Sequence, residues 1–388
     1  MEKLIIIGAS YLQLPLIQKA NELGYETHVF AWEKGSVGKE IACRFYPISI
    51  LEKEKILKAA KKIKPVGVIS IASDLAIKTV NYIASELGLI GNSMKCTEIT
   101  TNKFIMRETL QKSGLPCPAF DLCSGNDLPD VSNMNFPLVI KPTDRSGSRG
   151  VEKIEHPEQI GHAIDRAWKE SHIGEAMIEE FVEGKEISVE MISWKGKHHY
   201  LCCTDKITSG PPYFVELEHH EPASLTLGME EKIVELTKKA LRALKIEYGA
   251  SHTEIIITPD NKFFIVEVGA RMGGDHIGAK LVYFSTGYDL IKAAIDVATG
   301  NFSPVHKSHS AYSGIYYLIS NPGIIKDLKW NYPLADNIVD HQFIYNKGDT
   351  IRNLSNSTDR LGYVIYRSTN NRIKVNSSST FTIEFKDQ

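Results

Sequence analysis

Thr253-Glu254-Ile255-Ile256-Ile257 and Phe264-Ile265-Val266-Glu267-Val268-Gly269-Ala270-Arg271 are two apolar runs joined across Pro259-Asp260-Asn261, and each carries one glutamate. The pattern predicts two antiparallel strands, Thr253–Thr258 and Phe263–Val268. Facing side chains of such strands share a face, so Glu254 and Glu267, thirteen residues apart, are expected side by side. A carboxylate inside an apolar strand is costly unless a cation or a metal neutralises it. Two hard oxygen donors that leave further positions to phosphate oxygens and water suit Mg2+. The plain alternative is an exposed acidic face on an edge strand. Arg271 follows Glu267 by four residues and adds a guanidinium able to clamp a phosphoryl group in transfer, or to pair with one of these carboxylates.

Upstream, Leu138-Val139-Ile140-Lys141-Pro142 ends a strand on a lysine and opens onto Thr143-Asp144-Arg145-Ser146-Gly147-Ser148-Arg149-Gly150-Val151. Small residues let backbone N–H groups close round phosphate oxygens. No Gly-Lys-Ser/Thr ends the loop, so it is not a Walker A sequence. A solvated strand end and a surface hairpin are the plain readings of these two features. In Glu179-Glu180-Phe181-Val182 a strand leads into a segment that can serve as an adenine hinge. The Glu180 carbonyl and the Val182 N–H would meet the base edge, with Glu179 accepting from its amino group. Glu186, seven residues beyond Glu179, could take two ribose hydroxyls. Singly, each glutamate reads as a surface charge.

Around this centre the chain alternates in texture. Leu4–Ile7, Thr27–Phe30 and Val66–Ile71 read as strands, with helices from Leu12, over Leu51–Lys64 and over Leu75–Leu87. That is a doubly wound α/β unit over 1–100. Gly8-Ala9-Ser10-Tyr11-Leu12-Gln13 stands where a dinucleotide fingerprint would stand. Ser10 and Gln13 occupy the places of its second and third glycines, and no ribose-binding acid follows the second strand. A structural strand-to-helix turn is the expectation there, its helix N-terminus still open to an anion. Residues 101–304 read as an α+β unit. They include helices Lys103–Ser113, 158–170, 229–245 and Tyr288–Thr299, and a polar, aromatic-bearing loop over Asp205–Glu216 and His219–Pro222. Short strands Tyr312–Ile319, Ile338–Tyr345, Gly362–Tyr366 and Thr380–Phe385 predict a small β-rich unit over 305–388.

Taken in order, Asn102-Lys103, Phe136–Lys141, the loop 143–151, Glu179–Glu186 and the Glu254/Glu267/Arg271 trio resemble the ATP-grasp superfamily. The N-terminal stretch resembles the pre-ATP-grasp domain of its carbamoyl-phosphate synthase, biotin carboxylase and purine-pathway members. The resemblance implies a two-lobed ATP-grasp domain over 101–304, with a lid over about 115–185. It implies ATP and Mg2+ (or Mn2+) as cofactors. Lys103 and Lys141 match the phosphate-binding lysines, and Ser146, Gly147, Ser148, Arg149 and Gly150 match the lid loop. Glu179, Glu180, Phe181 and Val182 match the adenine hinge, and Glu186 the ribose carboxylate. Glu254 and Glu267 match the metal ligands, and Arg271, with Lys141, the catalytic cations. Many members carry Asn two places after the second Glu, where Gly269 stands, so the second metal position is left open. Ser73, Asp74, Glu216, Asp275 and His276 are the candidate substrate contacts.

The implied activity is an ATP-dependent carboxylate–amine ligase that forms an acyl phosphate and transfers the acyl group to an amine, amino acids among its substrates. Two alternatives stay open: a purine-pathway or carbamoyl-phosphate-type enzyme acting on a ribotide, formate or bicarbonate, and a catalytically silent nucleotide-binding module. The 388 residues carry 45 Lys+Arg against 47 Asp+Glu, which argues against an electrostatic nucleic-acid binder. No run of 18 apolar residues suggests a membrane span. Six cysteines without a CxxC pair speak against zinc and thioredoxin-like chemistry, and free thiols point to a reducing, cytoplasmic setting. The expected partners are small molecules, together with a second copy of the chain as a homodimer.

Overall fold

The computed structural model describes residues 1–123 and 129–386; residues 124–128 of the expected lid and the last two of the chain lie outside it. The N-terminal unit is a four-stranded parallel sheet in the order Arg44–Tyr46, Glu26–Phe30, Lys3–Ile7, Gly67–Ile69. Helices Leu14–Glu22, Lys53–Ile63 and Asp74–Leu87 accompany it. The edge strand Arg44–Tyr46 escapes the sequence reading because three residues give no periodicity. Gly8 adopts φ 98° to leave the central strand. Gln13 folds back into this turn, accepting from Ser10 N and Oγ and donating to the Ile71 carbonyl at 2.8 Å. A Cβ on Gly8 would stand 3.2 Å from the Gln13 side chain, so the residue in place of the third glycine fills this turn.

The stretch expected as the lid is a four-stranded antiparallel sheet, Phe120–Cys123, Ala176–Glu180, Leu138–Pro142, Glu152–Ile154, covered by helix Ile160–Glu170. It has its own core of Leu138, Ile140, Ile154, Ile164, Ala176 and Ile178. The body is an eight-stranded sheet whose neighbours are all antiparallel. It runs Phe263–Gly269, Gly249–Ile257, Lys185–Trp194, Lys197–Thr208, Glu216–Glu221, Tyr312–Leu318, Gly362–Ser368, Ile338–Phe343. Three strands of the C-terminal stretch therefore extend the central sheet, while Thr350–Ile351, Gly323–Trp330 and Phe381–Phe385 form a small sheet of their own. The expected polar loop is corrected: Asp205–Thr208 closes one strand and Glu216–Glu221 is another. Glu-Leu-Glu-His-His-Glu hides its strand character because its inward face lines a polar cleft instead of an apolar core.

One face of this sheet packs Ile187, Val189, Ile255, Ile257, Ile265 and Val268 under helix Leu227–Ala243. The opposite face carries Glu186, Ser188 and Glu190 facing Ile256, Glu254 and His252. A single apolar cluster joins Leu4, Leu16 and Ile17 of the N-terminal unit to Ile192, Met272, Leu290 and Ala294 of the body, so the two units meet in one fixed arrangement.

Glu221 is fully buried and accepts from Thr204 Oγ1 at 3.0 Å and Ser285 Oγ at 2.7 Å. Burial, with Glu190 nearby, pushes its carboxyl up to about 8. Between its ordinary value of 4.5 and about 8 the folded state holds a proton that the unfolded chain has released, so this group's contribution to stability falls as pH rises through that window. Glu221→Gln is expected to melt roughly 2–4 °C above the wild type at pH 8. The gap should close toward pH 5, and an equal gap at both values in thermal unfolding would contradict the assignment.

Candidate active site

Glu254 and Glu267 are direct cross-strand partners. Both line a cleft of about 600 Å3 bounded by the N-terminal turns, the lid loop and the polar face of the central sheet. The pairing contains a bulge, since Glu254 faces Glu267 while Ile255 faces Ile265. Val266 is the extra residue, and its carbonyl accepts from the buried Arg107 guanidinium. Glu254 Oε1 takes Lys206 Nζ and lies 3.3 Å from His252 Nε2. Glu267 Oε1 pairs with Lys103 Nζ. Burial alone would raise the Glu254 carboxyl, but Lys206 and His252 outweigh it and hold it well below the usual carboxylate range. His252 is pressed down by its own burial, yet Glu190 and Glu254 lift it to about 9.

Among the described residues no group of three or more His, Cys, Asp or Glu side chains could hold an ion unaided. In both glutamates the protein's cations sit on Oε1, leaving Oε2 as a hard donor. Such a pair fits Mg2+ or Mn2+ that completes its shell with phosphate oxygens and water. Gly269 has a local reason. A Cβ there would lie 3.1 Å from Arg271 Cζ and 3.2 Å from its Nε, so the arginine folds across the space where a third ligand's side chain would begin.

Of the expected nucleotide contacts, Lys103, Ser146, Gly147, Ser148, Arg149 and Glu186 line the cleft. Asn102 caps helix Lys103–Lys112 by accepting from Phe104 N and Ile105 N at 3.0 and 3.1 Å, which sets Lys103 at the helix start. Ser148 Oγ donates to the Phe214 carbonyl at 3.2 Å, tying the lid loop to the body. Lys206 Nζ also donates to Glu186 at 2.5 Å, so one ammonium bridges the expected ribose and metal carboxylates.

Lys141, Gly150, Glu179, Glu180, Phe181 and Val182 lie outside the cleft lining just described. Glu179 is 4% exposed, and its oxygens hold Lys141 Nζ and Arg107 Nε, the latter at 3.1 Å. Burial would raise Glu179, but Arg107 and Lys141 outweigh it and lower it. Burial, helped by Arg107 and Lys103, lowers Lys141. The Glu180 carboxylate accepts from Asn135 N and Nδ2 at 2.8 and 2.9 Å, and Phe181 N–H donates to the Pro137 carbonyl. Gly150 sits at φ 71°, where a Cβ would press on Glu170 and Pro142 at 3.0 Å.

At the substrate end, Asp74 grips Arg271 through Nε at 2.9 Å and Nη2 at 3.1 Å. The arginine's carboxylate partner therefore comes from the N-terminal unit, and not from Glu254 or Glu267. Burial works against both charges, yet each holds the other ionised: Asp74 is lowered and Arg271 raised. Ser73 lines the cleft but caps helix Asp74–Leu87, accepting from Ala76 N at 3.2 Å. Glu216 also lines it and accepts from Ser357 Oγ at 2.7 Å. Asp275 lines it, held by Arg360 at 2.8 and 2.7 Å, with His219 Nε2 at 3.5 Å. Burial notwithstanding, Arg360 keeps Asp275 well below the usual range. His276 is buried outside the cleft lining, 4.5 Å from the Tyr363 ring, and burial pushes it down to about 3.

Sequence reasoning took Lys206 and His219 only as part of a polar loop, and missed His252 and Arg360 on the cleft wall. A signal for His252 existed in the polar/apolar alternation of Glu186-Ile187-Ser188-Val189-Glu190, which marks a sheet with one wet face. No local signal points to Arg360, which the C-terminal stretch delivers.

Residues 134–279 match the family model described as an ATP-grasp domain, and this part of the chain is an ATP-grasp domain. The chain is 26% identical over 314 residues to the uncharacterized protein y4rH of Sinorhizobium fredii, covering 76% of this chain and 63% of that protein. It is 24% identical over 296 residues to the carbamoyl phosphate synthase large chain of Thermotoga petrophila, covering 70% of this chain and 26% of that one. The chain thus spans less than two thirds of each of these relatives. Its fold is that of the L-amino acid ligase from Bacillus licheniformis, with a TM-score of 0.85, 20% identity, and coverage of 100% of this chain and 99% of that one. No helix among the described residues is long and apolar enough to cross a membrane.

Proposed function

We propose that the protein is an ATP- and magnesium-dependent carboxylate–amine ligase that joins amino acids. ATP and a carboxylate would give an acyl phosphate and ADP; an amine then displaces phosphate, leaving an amide and a proton. The observation that carries this reading is the in-register Glu254/Glu267 pair, set in one cleft with Lys103, Lys206 and Arg271. Magnesium or manganese, when bound by the two glutamates, would neutralise charge on the phosphoryl oxygens. Lys103 and Lys206 would bind phosphate oxygens, and Glu186 the ribose. The lid loop 146–149 would exclude water that hydrolyses an acyl phosphate. Arg271, oriented by Asp74, would hold the substrate carboxylate and then the developing oxyanion. Glu216 and Asp275 would meet the amine-bearing ends of the substrates.

The ribotide alternative needs a phosphate anchor. The guanidinium that the C-terminal stretch adds, Arg360, is taken up bidentate by Asp275, which favours the amino-acid reading. Six free thiols fit the reducing, cytoplasmic setting that this reading assumes, and a homodimer through the N-terminal unit belongs to it.

The test is ADP and phosphate release over pairs of free amino acids, with the product weighed by mass spectrometry. A dipeptide mass supports the proposal. Release only with ribotides, formate or bicarbonate moves it to the second class, and nucleotide binding without release makes the chain a silent module. Arg271→Gln is expected to lower kcat by about 100-fold. Lysine at this position should not restore it, since the two-pronged contact with Asp74 requires a guanidinium. A kcat within twofold of wild type would remove Arg271 from the reaction.

A further inference from the structure

Glu190 lies in strand Lys185–Trp194, directly across from His252 and on the face that carries Glu254. It is fully buried and takes no part in the cleft wall. Its Oε1 is bound by His252 Nδ1, and its Oε2 accepts from the Gly273 N–H at 3.2 Å. The second ring nitrogen of His252 faces Glu254 Oε1 at 3.3 Å. One carboxylate therefore grips both the strand that presents Glu254 and the turn two residues past Arg271. The grip is tight: a Cβ on Gly273 would stand 2.8 Å from His252 Nδ1 and 3.0 and 3.1 Å from the two Glu190 oxygens. A buried carboxylate adds little net stability over an apolar side chain of its size, so what it supplies here is geometry.

We propose that Glu190 is a positioning residue: through His252 it aims Glu254, and through the Gly273 amide it holds the Arg271 turn, so that metal carboxylate and guanidinium keep a fixed spacing. The inference rests on the ligase reading above, in which Glu254 is a metal ligand.

Mn2+ binding in the presence of ADP, followed by electron paramagnetic resonance on the full chain, tests it without turnover. The set is wild type, Glu190→Gln, His252→Asn, their double variant, and Glu254→Gln as reference. Loss of a partner that orients a metal ligand weakens metal binding roughly 10–100-fold. Glu190→Gln and His252→Asn are each expected to weaken Mn2+ by about 10-fold, and the double variant no more than His252→Asn alone. A merely structural brace would lower the melting temperature and leave Mn2+ affinity alone. Wild-type affinity in folded Glu190→Gln, or penalties that multiply in the double variant, overturns the proposal. Glu190→Asp replaces Glu190→Gln in the cycle if the latter does not fold. If Glu254→Gln binds Mn2+ normally, the metal assignment itself fails and takes this inference with it. If only Glu190→Gln is silent, the ligase reading stands and this inference alone falls.

Discussion

Glu267→Gln is expected to cut magnesium-dependent nucleotide turnover by ~1000-fold or more while leaving the fold intact. The substitution keeps the side chain's size and removes its charge. Glu267 faces Glu254 across the bulged pair, and in the proposed site it would contribute one of two anionic donors. With a single carboxylate left, the ion would be held chiefly by the nucleotide it arrives with, and several kcal/mol of charge stabilisation would be lost in the transition state. The fold should survive because Glu267 sits at the cleft with a side chain 21% exposed, and its partner Lys103 also lines the cleft. Initial rates across magnesium concentrations, beside the melting curve of the same variant, check both halves. Wild-type rates would sink the metal assignment and with it the reading of the cleft.

Arg107→Met should destabilise the protein by about 3 kcal/mol or more, seen as a shifted midpoint in chemical denaturation. Arg107 is fully buried; it pairs with Glu179 of the lid at 3.1 Å and donates to the Val266 carbonyl in the bulge beside Glu267. Removing it leaves a buried carboxylate with Lys141 alone and a bulge carbonyl without its donor. Lysine should not substitute, since one ammonium cannot serve both acceptors with a planar fork. Arg107 thus spans the lid strand Ala176–Glu180 and the strand of the metal carboxylate, so its loss should also raise the KM for ATP. A midpoint unchanged from wild type would show that the lid is held by other means.

The legible part of the molecule was the part written in local pattern. The runs around Glu254 and Glu267 announce a hairpin with both acids on one face, and the pair sits in register as expected. The turn after Ile7 carries Ser10 and Gln13 where a dinucleotide fingerprint has glycines, and Gln13 folds back into that turn. What local pattern does not carry is burial. A charge or an imidazole near a glycine-rich loop reads the same whether it faces a cleft or a core. Glu179 and Lys141 neutralise each other in the interior, and His276 packs on Tyr363.

Chain order and residue type by themselves determined most of the element sequence, the antiparallel acid pair and the class of chemistry they suit, because strand periodicity and the cost of a charge in an apolar run act between near neighbours. Only the tertiary structure decided which charges meet. Asp74 reaches Arg271 from 197 residues away, and Arg360 closes on Asp275 from a segment that extends the central sheet. Coulomb forces depend on separation in space and on the solvent each group has lost, and neither quantity is written in the order of the residues.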